Sequence, residues 1–184
     1  MKTARLAWLF FLCVLLVLLP FGDTSASRRG QTGRVTIVPC DVEAAANGGL
    51  NVRSGPGKTY KVIRNLPNQN VEGMRVHITG ASGEWVRIDR AIEEGGDPDR
   101  TLFQGAGWVY APLLFVSGMA ITEGGTNLYQ DTTKKSQVII RVPGGDDATV
   151  RGCQGQWIYV EYNKKKRGWA APNTMCSNSL TTCV

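Results

Sequence analysis

Histidine is nearly absent from this chain: His77 stands alone among 184 residues. Ser-His-Asp or Cys-His chemistry would need that one imidazole beside an activated hydroxyl or thiol, and neither a nucleophile elbow nor a peptidase cysteine motif is present. His77 alternates with Val76 and Ile78 in one short run, which makes it a surface or groove residue rather than a base. No catalytic residues are expected. Close CxxC pairs are missing too, which argues against a four-thiolate zinc site. The acids Glu93, Glu94, Asp97 and Asp99 lack the Asp-x-Asp-x-Asp-Gly spacing of a calcium loop. Gly57-Lys58-Thr59 imitates the end of a phosphate-binding loop, but Val52 occupies the place of its first glycine. Neither a metal nor a cofactor is expected. Long helical periodicity is absent after residue 27, and no apolar run reaches the ~18 residues that span a bilayer.

What is present begins with Lys2 and Arg5, followed by fourteen unbroken apolar residues, Leu6 to Leu19, then Pro20 and the small-residue stretch Thr24-Ser25-Ala26-Ser27. This pattern over residues 1–27 reads as a secretory signal peptide, with an uncleaved N-terminal anchor as the alternative. The expected location is secreted or periplasmic, with no stable membrane insertion once the signal is cleaved. The whole chain carries a formal charge of +6. Nucleic acid would suit that sign, but an exported chain seldom meets it, so no nucleic-acid partner is expected.

Export places Cys40, Cys153, Cys176 and Cys183 in an oxidising compartment, where four thiols in a small chain commonly form two disulfides. Three connectivities are open. In each of them Cys40 pairs with a cysteine of the C-terminal third.

An internal repeat organises the rest. Gly83-Glu84-Trp85-Val86-Arg87-Ile88 is echoed by Gly155-Gln156-Trp157-Ile158-Tyr159-Val160, and each copy is followed by a Gly-Trp pair, Gly107-Trp108 and Gly168-Trp169. Upstream, Val62 to Pro67 is echoed by Val138 to Pro143, and Leu50-Asn51-Val52 by Thr126-Asn127-Leu128. Residues 115–125 read as the joint. Apolar residues alternate over short runs rich in Val, Ile, Tyr and Trp, bounded by Gly, Pro and Asn, which predicts short antiparallel strands. The predicted strands are 35–38, 62–66, 71–79, 84–89 and 107–110, then 127–129, 138–142, 148–153, 156–162 and 167–170. Five strands per copy give an all-β chain of two tandem small barrels, over residues 34–116 and 118–176, with 177–184 as a tail.

Leu50-Asn51-Val52-Arg53-Ser54-Gly55-Pro56-Gly57, then Tyr60, Val62, Leu66, Gly-x-Trp and Gly-Trp-Val, resemble the bacterial SH3 domain. The second copy keeps the Trp landmarks but has Tyr129-Gln130-Asp131-Thr132-Thr133 in place of the Arg-Ser-Gly-Pro-Gly element. The resemblance implies an SH3-like barrel serving as an extracytoplasmic binding module, often in cell-wall contexts.

Strand alternation sends Val86 and Ile88 to one face and Trp85 and Arg87 to the other, and likewise sets Ile158 and Val160 against Trp157 and Tyr159. An outward Trp beside an aromatic residue of the Gly-Trp strand would make a shallow groove for an extended peptide or a sugar ring, whereas an inward one would plug the barrel end. Both readings stay open for Trp85 and Trp157; the preceding glycine favours the plug for Trp108 and Trp169. The loop from Arg53 to Tyr60 is a structural turn that could also bring Arg53, Lys58 and Tyr60 to a ligand. The groove residues are therefore Arg53, Lys58, Tyr60, Trp85, Arg87, Trp108, Trp157 and Tyr159. Lys164 to Arg167 reads as a solvated hairpin tip or a contact for an acidic partner. At the matching place the first copy has an insertion, residues 91–106, read as a solvated loop. The expected function is that of a non-enzymatic exported module recognising cell-wall peptide, peptidoglycan or an envelope protein. The alternative is an interaction or inhibitor module that docks on a periplasmic enzyme through the acidic insertion or an edge strand.

Overall fold

Alternating runs bounded by turn residues become strands here, each burying every second side chain. The computed structural model describes residues 39–46, 48–67, 69–94, 97–119 and 124–177. Residues 1–27, expected to be a signal peptide, the predicted strand 35–38 and Cys183 lie outside them. The first copy forms β1 (Cys40–Ala46), β2 (Leu50–Arg53), β3 (Val62–Leu66), β4 (Gln69–Ser82), β5 (Trp85–Glu93) and β6 (Arg100–Tyr110). After a single 3-10 turn, Ala111–Leu113, the second copy forms β7 (Leu114–Gly118), β8 (Thr126–Tyr129), β9 (Val138–Val142), β10 (Asp147–Gln154), β11 (Trp157–Tyr162) and β12 (Lys166–Ala170), with a short β13 (Met175–Cys176). Among the described residues no helix is long and apolar enough to cross a membrane.

The strand order runs β3-β2-β6-β5-β4-β1 and then β7-β10-β11-β12-β8-β9, with β13 beside β7. Replacing each strand of the first set by its counterpart six places later gives the second set in mirror order. The duplication is thus a duplication of topology, with six strands per copy rather than five. Four strands fall outside the predicted ranges: β1, β2, β7 and the short β13. Residues 115–118, read as part of a joint, belong to β7, the counterpart of β1; their alternation spans too few residues to stand out. The insertion 91–106 is likewise no solvated loop. It prolongs the β5–β6 hairpin, pairing Ala91 with Phe103 and Glu93 with Arg100, because Ala91, Leu102 and Phe103 find buried positions there. Two of its four acids are countered across the sheet, Glu93 by Arg100 at 2.5 Å and Glu94 by Arg75 at 2.6 Å.

The core is continuous across both copies, running from Val42, Val76, Ile88 and Val109 through Ala44, Ala46, Leu114 and Val116 to Val150, Val160 and Leu128. At the seam β1 and β7 pair only through Ala45 with Phe115 and Ala46 with Leu114. Other links reinforce it. Cys40 is bonded to Cys153, 113 residues away, with Cα atoms 6.2 Å apart; closing a loop of that length stabilises the fold by roughly 4–5 kcal/mol in the chain-entropy account. Cys176 is disulfide-bonded as well.

An ionic cluster also crosses the seam. Arg151, in β10 and only 8% exposed, donates to Glu84 of the first copy at 2.7 Å and to Glu161 of the second at 2.9 Å. Glu161 accepts a further bond from Arg167 Nε. Burial pushes the Glu161 carboxyl up, but its bonds to Arg167 and Arg151 outweigh this and hold it below the ordinary carboxylate value.

Nonreducing peptide mapping is expected to return Cys40 linked to Cys153, and a free Cys40 in the oxidised protein would contradict the clamped seam. Glu161→Gln removes the negative charge, and one of the two acceptor oxygens, that Arg151 and Arg167 share, and is expected to cost about 2–4 kcal/mol in urea unfolding at neutral pH. Because the folded carboxyl titrates below its unfolded value, this stabilisation is complete above the ordinary carboxylate pKa and is lost as pH falls through the folded one. The gap between wild type and variant should therefore narrow on acidification; a gap that stays constant down to strongly acidic pH would show that the ion cluster does not supply it.

Candidate functional site

Val86 and Ile88 of β5 and Val109 of β6 are fully buried, so their neighbours must point the other way. Register completes the face: Trp85 lies opposite Tyr110, and Arg87 opposite Trp108, while Arg53 of β2 flanks Trp108 on its other side. Trp85 and Tyr110 pack with ring centroids 5.3 Å apart and planes tilted by 52°. Lys58 Nζ sits 5.7 Å from the Tyr110 centroid, within cation–π range. Asn51, Arg53, Lys58, Trp85, Tyr110 and Leu113 line a cavity of about 180 Å³. Pockets that enclose a small molecule hold roughly 300 Å³ or more, so this one suits a single side chain or ring of a longer ligand.

Trp85 resolves the choice between groove and plug in an unexpected way. It lies on the outer face, as alternation requires, yet is only 8% exposed, because Tyr110 packs against it. It is the floor of the cavity. Trp108 is half-buried on the same face beside Arg87 and is no plug. The tight packing signalled by its preceding glycine belongs to the opposite face, where a Cβ on Gly107 would lie 2.2 Å from Val52. Gly168 repeats this against Leu128, at 2.9 Å. Trp169 is 6% exposed, yet it too lies on the outer face, with its centroid 5.0 Å from that of Tyr159.

The loop from Arg53 to Tyr60 is held from within. Arg53 Nη1 donates to the carbonyls of Lys58 at 2.9 Å and Tyr60 at 2.7 Å. The Tyr60 ring lies against Gly55, where a Cβ would stand 2.3 Å from it; the glycine is required by that approach. Tyr60 is 48% exposed and does not line the cavity. The second copy keeps this loop without its sequence. Backbone bonds Ser54 to Lys61, Gly57 to Gly55 and Tyr60 to Gly57 are matched by Gln130 to Gln137, Thr133 to Asp131 and Ser136 to Thr133. In place of the Tyr60 ring, Ser136 Oγ donates to the carbonyls of Asp131 and Thr133.

The structure thus brings Arg53, Lys58 and Trp85 together, with Arg87 and Trp108 next to them on the same face. Trp157 and Tyr159 belong to a separate face on the second copy, where Trp157 meets Tyr129 edge-on at 5.9 Å and Trp169 pairs with both Tyr159 and Tyr129. Tyr110 and Tyr129 were missed in the sequence. Tyr110 follows Trp108 by two residues and so had to share its face; Tyr129 takes the ladder position of Arg53, which only the register reveals. His77 does not line the cavity, and its Nδ1 is 2.6 Å from Asp89 Oδ1. Among the described residues no group of His, Cys, Asp and Glu is placed to hold a metal ion.

Known proteins resemble this architecture. A Bacillus subtilis (strain 168) protein, YrvJ, named as a proposed N-acetylmuramoyl-L-alanine amidase, is 26% identical over 145 residues, covering 72% of this chain and 25% of its own length. The chain therefore spans about a quarter of that relative. Among solved structures, NlpC2 of Trichomonas vaginalis aligns over 76% of this chain and 48% of its own at 15% identity, with a TM-score of 0.32. NlpC1 of the same organism aligns over 77% and 46% at 12% identity, with a TM-score of 0.31. The bacterial SH3 domain family matches residues 48–114 and 124–175. One match falls on β2 to β6 and the other on β8 to β12, and together they span more than half of the sequence: the chain belongs to the bacterial SH3 domain family, of which it carries two copies in tandem.

Proposed function

We propose that the protein is a non-enzymatic, exported binding module that holds cell-wall peptide in the groove of its first barrel. The observation that carries this reading is the cavity over Trp85, bordered by Tyr110 and the Lys58 ammonium. A short peptide offers that site an apolar side chain for the indole and phenol rings and a carboxylate for the lysine. A shallow, single-residue pocket suits a repeating ligand, since each repeat presents the same group again. The family membership and the name of the Bacillus relative support a wall context, and the Cys40–Cys153 disulfide fits a compartment outside the cytoplasm.

A second reading has one specific observation behind it. Val62 and Ile63 on β3, and Val138 and Ile139 on β9, are exposed at matching positions of the two strands that end the sheet path. Such edges can accept a strand from another protein, which would make the chain an adaptor for a wall enzyme.

Cosedimentation with purified peptidoglycan separates the two. Lys58→Glu and Tyr110→Leu are expected to lower retention by about tenfold or more, the scale of a lost binding hot spot, while thermal unfolding shows the fold intact. Retention equal to wild type in both variants would remove the groove reading. Stoichiometric co-purification of an envelope protein, with no retention on peptidoglycan, would establish the adaptor instead.

A further inference from the structure

We infer that the second barrel carries a separate site, for a polyanionic polymer of sugars, independent of how the first groove is used. Its rings come first. Tyr129, Trp157 and Tyr159 are each partly exposed and stand with Trp169 on one outer face. Two residues further along β11 and β12, Glu161 lies opposite Arg167, about 7 Å from the ring row at strand spacing. Beyond it the chain turns through Asn163, Lys164 and Lys165 between the paired Tyr162 and Lys166, with Asn163 and Lys164 at positive φ (52° and 54°), a tight three-residue hairpin that leaves the lysines at and beside its tip.

Register supplies the second half. Because β8 runs antiparallel to β12, with Tyr129 opposite Trp169, the loop 130–137 leaves β8 at the same end of the barrel as this hairpin. Lys134 and Lys135 on the loop therefore join Lys164, Lys165, Lys166 and Arg167 at the hairpin, all of them exposed. The acids near this end are Asp131, Glu161, Glu84 and Asp146. Glu161 is already engaged by Arg151 and Arg167, Glu84 by Arg151 and, at 3.8 Å, Arg167, and Asp146 by the Tyr162 hydroxyl. Among the described residues no acid forms an ion pair with the lysines. Like charges so grouped repel one another within a Debye length of about 8 Å unless a partner neutralises them.

The first barrel differs at the corresponding positions. Its extended hairpin carries Glu93, Glu94, Asp97 and Asp99 in place of the lysine run. Lys58, the counterpart of Lys134 by the matched loop bonds, lies over the Tyr110 ring, whereas the second copy has Ala171 at that place and offers Lys134 no ring. A ligand that supplies anions at the lysine end and flat apolar ring faces along Tyr159, Trp157 and Tyr129 answers both features. Sugar units bearing phosphate, sulfate or carboxylate groups have that chemistry; a polyanion without rings meets only half of it.

Three probes titrated onto the purified full chain test this: dextran sulfate for charge with rings, polyphosphate for charge alone, and unmodified dextran for rings alone. Dextran sulfate should bind most tightly, polyphosphate more weakly and dextran not measurably, with affinity falling steeply as salt rises. Combined Lys164→Glu, Lys165→Glu and Lys166→Glu should lower binding of both polyanions at least about tenfold. Tyr159→Ala, or Tyr129→Leu should the first unfold, should bring dextran sulfate down to the level of polyphosphate, and Trp85→Ala should change nothing. Equal binding of dextran sulfate and polyphosphate by the wild type would overturn the inference, as would an unaffected triple-Glu variant or loss of binding in a folded Trp85→Ala. Binding confined to phosphatidylglycerol vesicles would overturn it too, by assigning the lysines to a lipid surface.

Discussion

A barrel of some sixty residues has only one thin layer of apolar side chains to bury, and stability at that size is marginal without reinforcement. Everything else here follows from how two such barrels share their cores. Small side chains, Ala44, Ala45, Ala46 and Ala148, let the copies approach at the seam, while Leu114 and Val116 fill the space between them. The backbone ladder across this seam is short, so it cannot set the relation of the halves by itself. The Cys40–Cys153 bond and the Arg151 cluster take that part. A buried ion cluster seldom adds much net stability, since desolvation offsets the attraction, but its directional bonds penalise any arrangement that breaks them. Glu84 therefore acts as a register pin: it reaches Arg151 only when the β4–β5 turn lies against β10.

Inside each copy the same constraint dictates where the aromatic residues go. A thin core filled by Val, Ile, Leu and Ala leaves no room for indoles, and strand alternation sends them outward, where they pack on one another. Gly107 and Gly168 extend this logic, because their missing side chains let Val52 and Leu128 close the core beneath the Trp-bearing face. The aromatic faces are by-products of core economy, and that is why both copies have one even where their loops have diverged in sequence.

Much of this was legible from the residues alone. The Trp, Gly-Trp and Val-Ile landmarks exposed the duplication, and alternation assigned Val86, Ile88 and Val160 to the core. What escaped reading has a common cause. The hairpin extension looked like a solvated loop because its acids were visible and their partners, Arg100 and Arg75, were not identifiable without the register. Loop 130–137 looked unrelated to 54–61 because a serine hydroxyl supports there what a tyrosine ring supports in the first copy, and hydrogen bonds leave no sequence echo. Cys153 as the partner of Cys40 was one of three possibilities until β1 and β10 were seen on either side of the seam. In each case the missing information was a pairing between distant residues, which composition and periodicity do not carry.

Divergence between the copies then has a physical sense. Where the first barrel has Arg53, Tyr110 and Tyr60, the second has Tyr129, Ala171 and Ser136. Arg53 donates its guanidinium to loop carbonyls, and Tyr110 draws Lys58 over its ring; the first face is thus closed into a small pocket with Arg53 and Lys58 held at its border. Without either residue the second face stays open and its lysines unengaged by rings. Neither face is deep, and a single shallow contact binds weakly. With both faces binding as proposed, that arithmetic changes, because a surface that offers both ligands holds the second at high effective concentration once the first is bound. The gain depends on a fixed geometry between the faces, and here that geometry is set by a cystine and an ion cluster rather than by a flexible linker.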